Sequence, residues 1–143
     1  MILKGNQRGG AKQLALHLLN TQTNDHVEIH EIRGFVSDSL QSALHEAYAI
    51  SRGTKCQKFL FSVSLSPPET EDVPVEEFEK AANDIEKKLG LNNQSRAIVF
   101  HEKEGRRHAH CVWSRIDTEK MRAIELPYYK NRLRDVSKQL WNV

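Results

Sequence analysis

The chain has 143 residues, a length that suits one hydrophobic core rather than two. Apolar residues make up 38% and charged residues 28%, and no apolar run is long enough for a bilayer span, so no membrane is implied. A formal net charge of +2 is too small to signal nucleic-acid binding by itself, so a polyanionic partner has to be argued from where the basic residues cluster.

The N-terminus, Met1-Ile2-Leu3-Lys4-Gly5, lacks the charged start, apolar stretch and cleavage site of a secretory signal, which favours a cytoplasmic address. A first strand is expected at Met1–Lys4, followed by a flexible basic loop over Gly5–Gly10. A helix over Ala11–Leu19 follows, with Ala11, Leu14, Ala15 and Leu18 at helical spacing. His26–Ile32 alternates as a half-buried strand that puts Val27, Ile29 and Glu31 on one face. Ser37-Asp38-Ser39 caps a second helix, Leu40–Ser51. The strongest strand, Lys58–Leu65, is stopped by Pro67-Pro68, which lack backbone donors.

Val75, Phe78, Ala81, Ala82, Ile85 and Leu89 define a third helix that Gly90 ends. Arg96–His101 and Arg107–Ile116 read as antiparallel strands joined by Glu102–Arg106. The basic tail from Tyr128 to Val143 is roughly helical and ends without a stop signal, as expected if 1–143 is the N-terminal part of a longer protein. Cys56 and Cys111, far apart in sequence, read as free thiols. Strands interleaved with helices and a late hairpin predict an α+β domain with a largely antiparallel sheet.

The chemistry concentrates in His101-Glu102-Lys103-Glu104-Gly105-Arg106-Arg107-His108-Ala109-His110. Strand side chains alternate faces, so His108 and His110 point the same way, and the hairpin can bring His101 beside them. Three neutral imidazoles make a metal site with open positions, suited to polarising a phosphodiester; three exposed histidines beside a basic hairpin are the alternative. Glu104 is placed to accept a proton or orient a histidine, or is a solvated turn carboxylate.

The pattern His101-x-x-Glu104-x-x-x-His108-x-His110, followed by Val112-Trp113-Ser114-Arg115-Ile116-Asp117, resembles the HUH-superfamily relaxases of conjugative and mobilisable plasmids, in the mobilisation and VirD-type branch. Arg8-Gly9-Gly10 with its helix and the strand Phe59–Leu65 extend the resemblance over most of the chain. It implies a five-stranded antiparallel sheet flanked by helices, and a divalent ion, Mn²⁺ or Mg²⁺, on His101, His108 and His110. It further implies single-stranded DNA at a transfer origin as substrate, with relaxosome accessory and coupling proteins as partners. Ligand softness alone favours Zn²⁺ or Ni²⁺ on such a site, so purified protein is expected to pick these up.

Relaxases generally attack with a tyrosine on or just before the first helix, and here the sequence departs from the family. That helix carries His17 in Ala15-Leu16-His17-Leu18-Leu19, and the only tyrosines are Tyr48, Tyr128 and Tyr129. A histidine-using branch of the family makes His17 the first candidate nucleophile. A neutral imidazole attacks phosphorus without first losing a proton. Tyr48 reads as core, while Tyr128 and Tyr129, in a loop, remain open as nucleophiles, as does a packed structural role for His17. Arg8 and Lys12 at a helix start, and Arg106, Arg107 and Arg115 around the histidines, are candidate DNA contacts. Trp113, alternating away from His108 and His110, reads as core.

The expected activity is nicking and rejoining of one DNA strand through a covalent 5′-phosphoryl enzyme. Its rivals are a water-using hydrolase with three histidine ligands and a non-catalytic DNA-binding derivative of the fold.

Overall fold

A computed structural model describes residues 1–141. In chain order the main elements are β1 (Ile2–Arg8), α1 (Ala11–Leu18), β2 (His26–Arg33), α2 (Leu40–Ser51), β3 (Leu60–Ser66), α3 (Val75–Leu89), β4 (Arg96–Lys103) and β5 (Arg106–Ser114). A small ribbon, β6 (Ile116–Asp117) with β7 (Arg122–Ala123), and a last helix, α4 (Tyr129–Trp141), complete it. The five long strands form one antiparallel sheet in the order β1-β3-β5-β4-β2, as the sequence led us to expect.

Each face of the sheet has its own core. Phe61, Val63 and Leu65 of β3 join Ile98, Phe100, Cys111 and Trp113 under α3 and α4. On the opposite face Leu60, Ala97, Val99 and Val112 pack against Leu14, Leu18, Leu40 and Leu44 of α1 and α2. Sequence position alternates faces along a strand, so this second face also receives Lys4, Asn6, Ser62, Ser64, His101, His108 and His110. Both cysteines are free, and burial pushes the Cys111 thiol up to about 12, leaving it inert as a nucleophile.

Three local expectations need correction. Gly5–Arg8 is not a loop but the second half of β1, paired from Gly5↔Val63 to Arg8↔Leu60. The glycine suits the strand because a Cβ at Gly5 would lie 2.6 Å from Leu133 of α4 and 2.8 Å from Phe61. Glu31 does not share a face with Val27 and Ile29. A bulge between Ile29 and Glu31 puts Glu31 opposite Ile98, on the other side of the sheet, where its carboxylate bonds Arg96 Nε at 2.5 Å. Tyr48 is not core: it is 37% exposed, and its hydroxyl accepts from Arg52 at 3.0 Å.

The β4–β5 connection is tighter than the sequence suggested. Only Glu104 and Gly105 lie between the strands, both at positive φ (55° and 77°), as a two-residue hairpin turn of the right twist requires. Asp25 braces it, its carboxylate accepting the Glu104 N–H at 2.8 Å while its own N–H donates to the Glu102 carbonyl.

Candidate active site

The hairpin register places His101 directly across from His108, and His110 across from Val99 on one side and Ser64 on the other. The His101 and His110 ring centroids are 4.4 Å apart. Above them lies the C-terminal turn of α1. His101 Nε2 donates to the Leu18 carbonyl at 2.6 Å, one of the carbonyls that the end of a helix leaves without an intrahelical partner. A carbonyl only accepts, so Nε2 carries the proton and Nδ1 keeps a lone pair. That bond fixes the helix end, and with it His17, whose exposed ring stands edge-on to His110 at 6.1 Å.

Burial, first of all, lowers the pKa of His101, His108 and His110; the neighbouring imidazoles add to it for all three, and Arg106 adds to it for His108. His110 falls furthest, from 6.5 to about 3. The group is therefore neutral at physiological pH, the state in which imidazoles bind metal. Number, neutrality, shared face and the Leu18 bond all fit a divalent ion; a ligating histidine commonly donates its other ring N–H to a carbonyl in this way. Among the described residues no three His, Cys, Asp or Glu side chains already converge on one point.

The shifts fix a sign for stability. In metal-free protein the unfolded chain takes up a proton at His110 below pH 6.5, whereas the folded chain does so only near pH 3. This contribution is complete above pH 6.5 and declines by about 1.4 kcal/mol per pH unit as the pH falls toward 3. Urea unfolding in a chelator between pH 7 and 4 is expected to lose stability at least that steeply, because His101 and His108 shift the same way, and His110→Gln to be less steep by about His110's share; equal slopes would show a solvated His110.

The other expected site residues are dispersed. Glu104 is exposed at the turn, three ladder steps from the His101–His108 pair, and among the described residues its carboxylate bonds no histidine. Arg106 shares the histidine face and donates to the Pro67 carbonyl at 2.7 Å. Arg107 points to the opposite face, 5.3 Å over the Phe100 ring and 3.5 Å from Glu102. Arg115 lies at the far end of β5, only 6% exposed, donating to the Lys58 and Ile124 carbonyls. Arg8 ends β1, and Lys12 is exposed on α1, whose N-cap Gly10 offers no side-chain cap.

Among the described residues His17 is the one aromatic side chain outside the triad in ring contact with it. Tyr48 packs on Phe59 and His45, Tyr129 on Phe61 beneath the opposite face, and Tyr128 is 78% exposed before α4.

The sequence reading missed the polar floor beside the imidazoles. Ser64 sits between His110 and Lys4 on the ladder, and Ser62 between Val112 and Asn6. Its signal was present: Ser62, Ser64 and Ser66 alternate with Phe61, Val63 and Leu65, so only one face of that strand is built for a full core.

No curated protein and no solved structure matches the chain. A family model described as relaxase, MobA/VirD2-like, nuclease domain, matches residues 16–142, which hold every histidine just described. With an antiparallel five-stranded sheet, α1 and α2 on its histidine face and α3 and α4 on the other, the chain belongs to the MobA/VirD2-like relaxases of the HUH superfamily, DNA-nicking nuclease domains.

Proposed function

We propose that residues 1–143 act as the nicking and joining unit of a mobilisation relaxase, cutting one strand at a transfer origin and holding the 5′ end on His17. The observation that carries this is the placement of His17: exposed, 6.1 Å from His110, on a helix end tied to His101. His101, His108 and His110 would hold a divalent ion, Mn²⁺ or Mg²⁺ in the cell. Such an ion supplies Lewis-acid polarisation of the scissile phosphate and offsets the charge that develops in an in-line displacement.

The chain's own residues do the rest. The His17 ring presents a nitrogen lone pair to phosphorus. An N–P bond forms, the bond from phosphorus to the 3′-oxygen breaks, and the 3′-oxygen leaves with the electron pair. The proton on the other His17 nitrogen is released as the phosphoramidate forms, balancing the proton that the 3′-hydroxyl gains. Reversal by a 3′-hydroxyl rejoins a strand. Lys4, Ser62 and Ser64 line the approach, Arg106 adds charge at the hairpin, and Arg8 and Lys12 meet the backbone near the start of α1. Arg107 and Arg115 are held in internal contacts, and Glu104 stands exposed at the hairpin turn, three ladder steps from the His101–His108 pair. Accessory and coupling proteins would deliver the origin.

The test is cleavage of labelled single-stranded oligonucleotides tiling a cognate origin. Cutting is expected with Mn²⁺ or Mg²⁺, to be abolished by chelator, and to return on adding metal back. Cutting that persists in chelator overturns the metal assignment. Metal-dependent cutting that leaves only free ends makes the enzyme a water-using hydrolase.

A further inference from the structure

The end of the sheet remote from the histidines carries an open basin of about 990 Å³ that the nicking reaction does not use. Arg52, Lys55, Lys58, Arg115 and Arg122 line it, against one carboxylate, Glu125. In a chain whose formal net charge is +2, this is a local segregation of positive charge. Its base is built. Arg115 is 6% exposed and bridges the two segments that bear the other cations, donating to the Lys58 carbonyl at 2.7 Å and to the Ile124 carbonyl at 2.9 Å. Its Nε is buried with no partner in the structure.

Above that base Lys55, Lys58 and Arg122 are exposed, and among the described residues none has an ion pair or a side-chain hydrogen bond. Lone surface cations are ordinary; several converging on one concavity raise the local potential for a polyanion. Lys4, Asn6 and Arg8 run along the histidine face of β1 toward the end of the sheet where Gln7, turned to the other face, joins the basin wall. Along β5, His108 and Arg115 are seven residues apart, about 23 Å at strand rise.

We infer that this basin is a second DNA contact, gripping the phosphate backbone of the substrate beyond the nicking site. The inference rests on the reading of the histidine face as the scissile-phosphate site. The distance corresponds to about seven nucleotides at 3.4 Å per nucleotide, and fewer in a stretched strand. A short strand fills the histidine site alone, whereas a longer one reaches both. The bound chemistry is the sugar-phosphate chain, presented by a continuing single strand or by a flanking duplex.

The experiment measures binding by fluorescence anisotropy in chelator, so that nothing is cut, for wild type and the triple variant Lys55→Ala, Lys58→Ala, Arg122→Ala. The probes are single strands of about three and about twenty nucleotides, and the short strand extended by a hairpin duplex. Removing three phosphate contacts is expected to lower the salt slope for the long single strand by about 2, and its affinity at 0.1 M salt by roughly 10- to 100-fold. The three-nucleotide strand, too short to span the two sites, should bind both proteins alike. A loss confined to the single-strand or to the hairpin extension supports the inference and names the source. Equal affinity of wild type and variant for every probe overturns it, as does an equal loss on the short strand. If the protein never cuts DNA yet shows the length-dependent loss, the basin stands and the nicking mechanism falls.

Discussion

His17→Ala should abolish strand cutting while leaving the fold and DNA binding intact. Loss of a covalent nucleophile lowers turnover by on the order of 10⁴-fold or more, because no other group delivers an attacking atom to phosphorus. The side chain is exposed and, among the described residues, makes no hydrogen bond, so its removal is expected to change stability by no more than about 0.5 kcal/mol. That separation is what makes the variant diagnostic. His101→Ala also loses cutting but is expected to destabilise the protein, since it leaves a space in a buried site and removes the 2.6 Å bond to Leu18. Single-turnover cleavage and thermal melts on both variants check the pair. A His17→Ala protein that still cuts within tenfold of wild type would move the nucleophile elsewhere.

The largest stability effect is expected at Glu86, far from the histidines. This carboxylate is 8% exposed, and one of its oxygens accepts from Arg96 and Arg33 at 2.9 Å each and from the Trp113 indole at 3.0 Å. Arg96 is itself 4% exposed. Breaking a buried pair from one side leaves the remaining charge and the indole N–H short of partners, so Glu86→Ala should lose about 3–5 kcal/mol. For a chain of this size that lowers Tm by roughly 10–20 °C. Glu86→Gln keeps an acceptor and should lose clearly less. Denaturant and thermal unfolding of the two variants measure this, and a loss below about 1 kcal/mol from Glu86→Ala would mean that water reaches the cluster and screens it.

Much of this organisation was legible in the sequence because it rests on periodicity. The helical spacing of Leu14 and Leu18, of Leu40 and Leu44, and of Phe78, Ile85 and Leu89 marks the buried stripes that the structure shows. His101, His108 and His110 were readable as a group because period two and a short hairpin fix their common face before any coordinate is known.

The remainder depends on long-range pairing. Nothing local tells that Gly5-Asn6-Gln7-Arg8 will pair with Phe61 and its neighbours, since glycine and asparagine usually mark loops. The bulge that turns Glu31 toward Arg96 likewise exists only in the pairing of β2 with β4. A positive charge near a motif in sequence does not settle where its side chain goes. Arg107 crosses to Phe100, and Arg115 closes the opposite end of the sheet, while Lys4, which no motif marks, shares the histidine face, with Ser64 between it and His110.

The most direct test is to trap the cut complex and map the modified residue. Wild-type protein with Mn²⁺ and a cognate single strand would be digested and sequenced by mass spectrometry, with and without prior acid treatment. A nucleotide on the peptide containing His17, through a bond that acid breaks, is the expected result. An acid-stable adduct on Tyr48, Tyr128 or Tyr129, or cut ends with no adduct on any peptide, would contradict it.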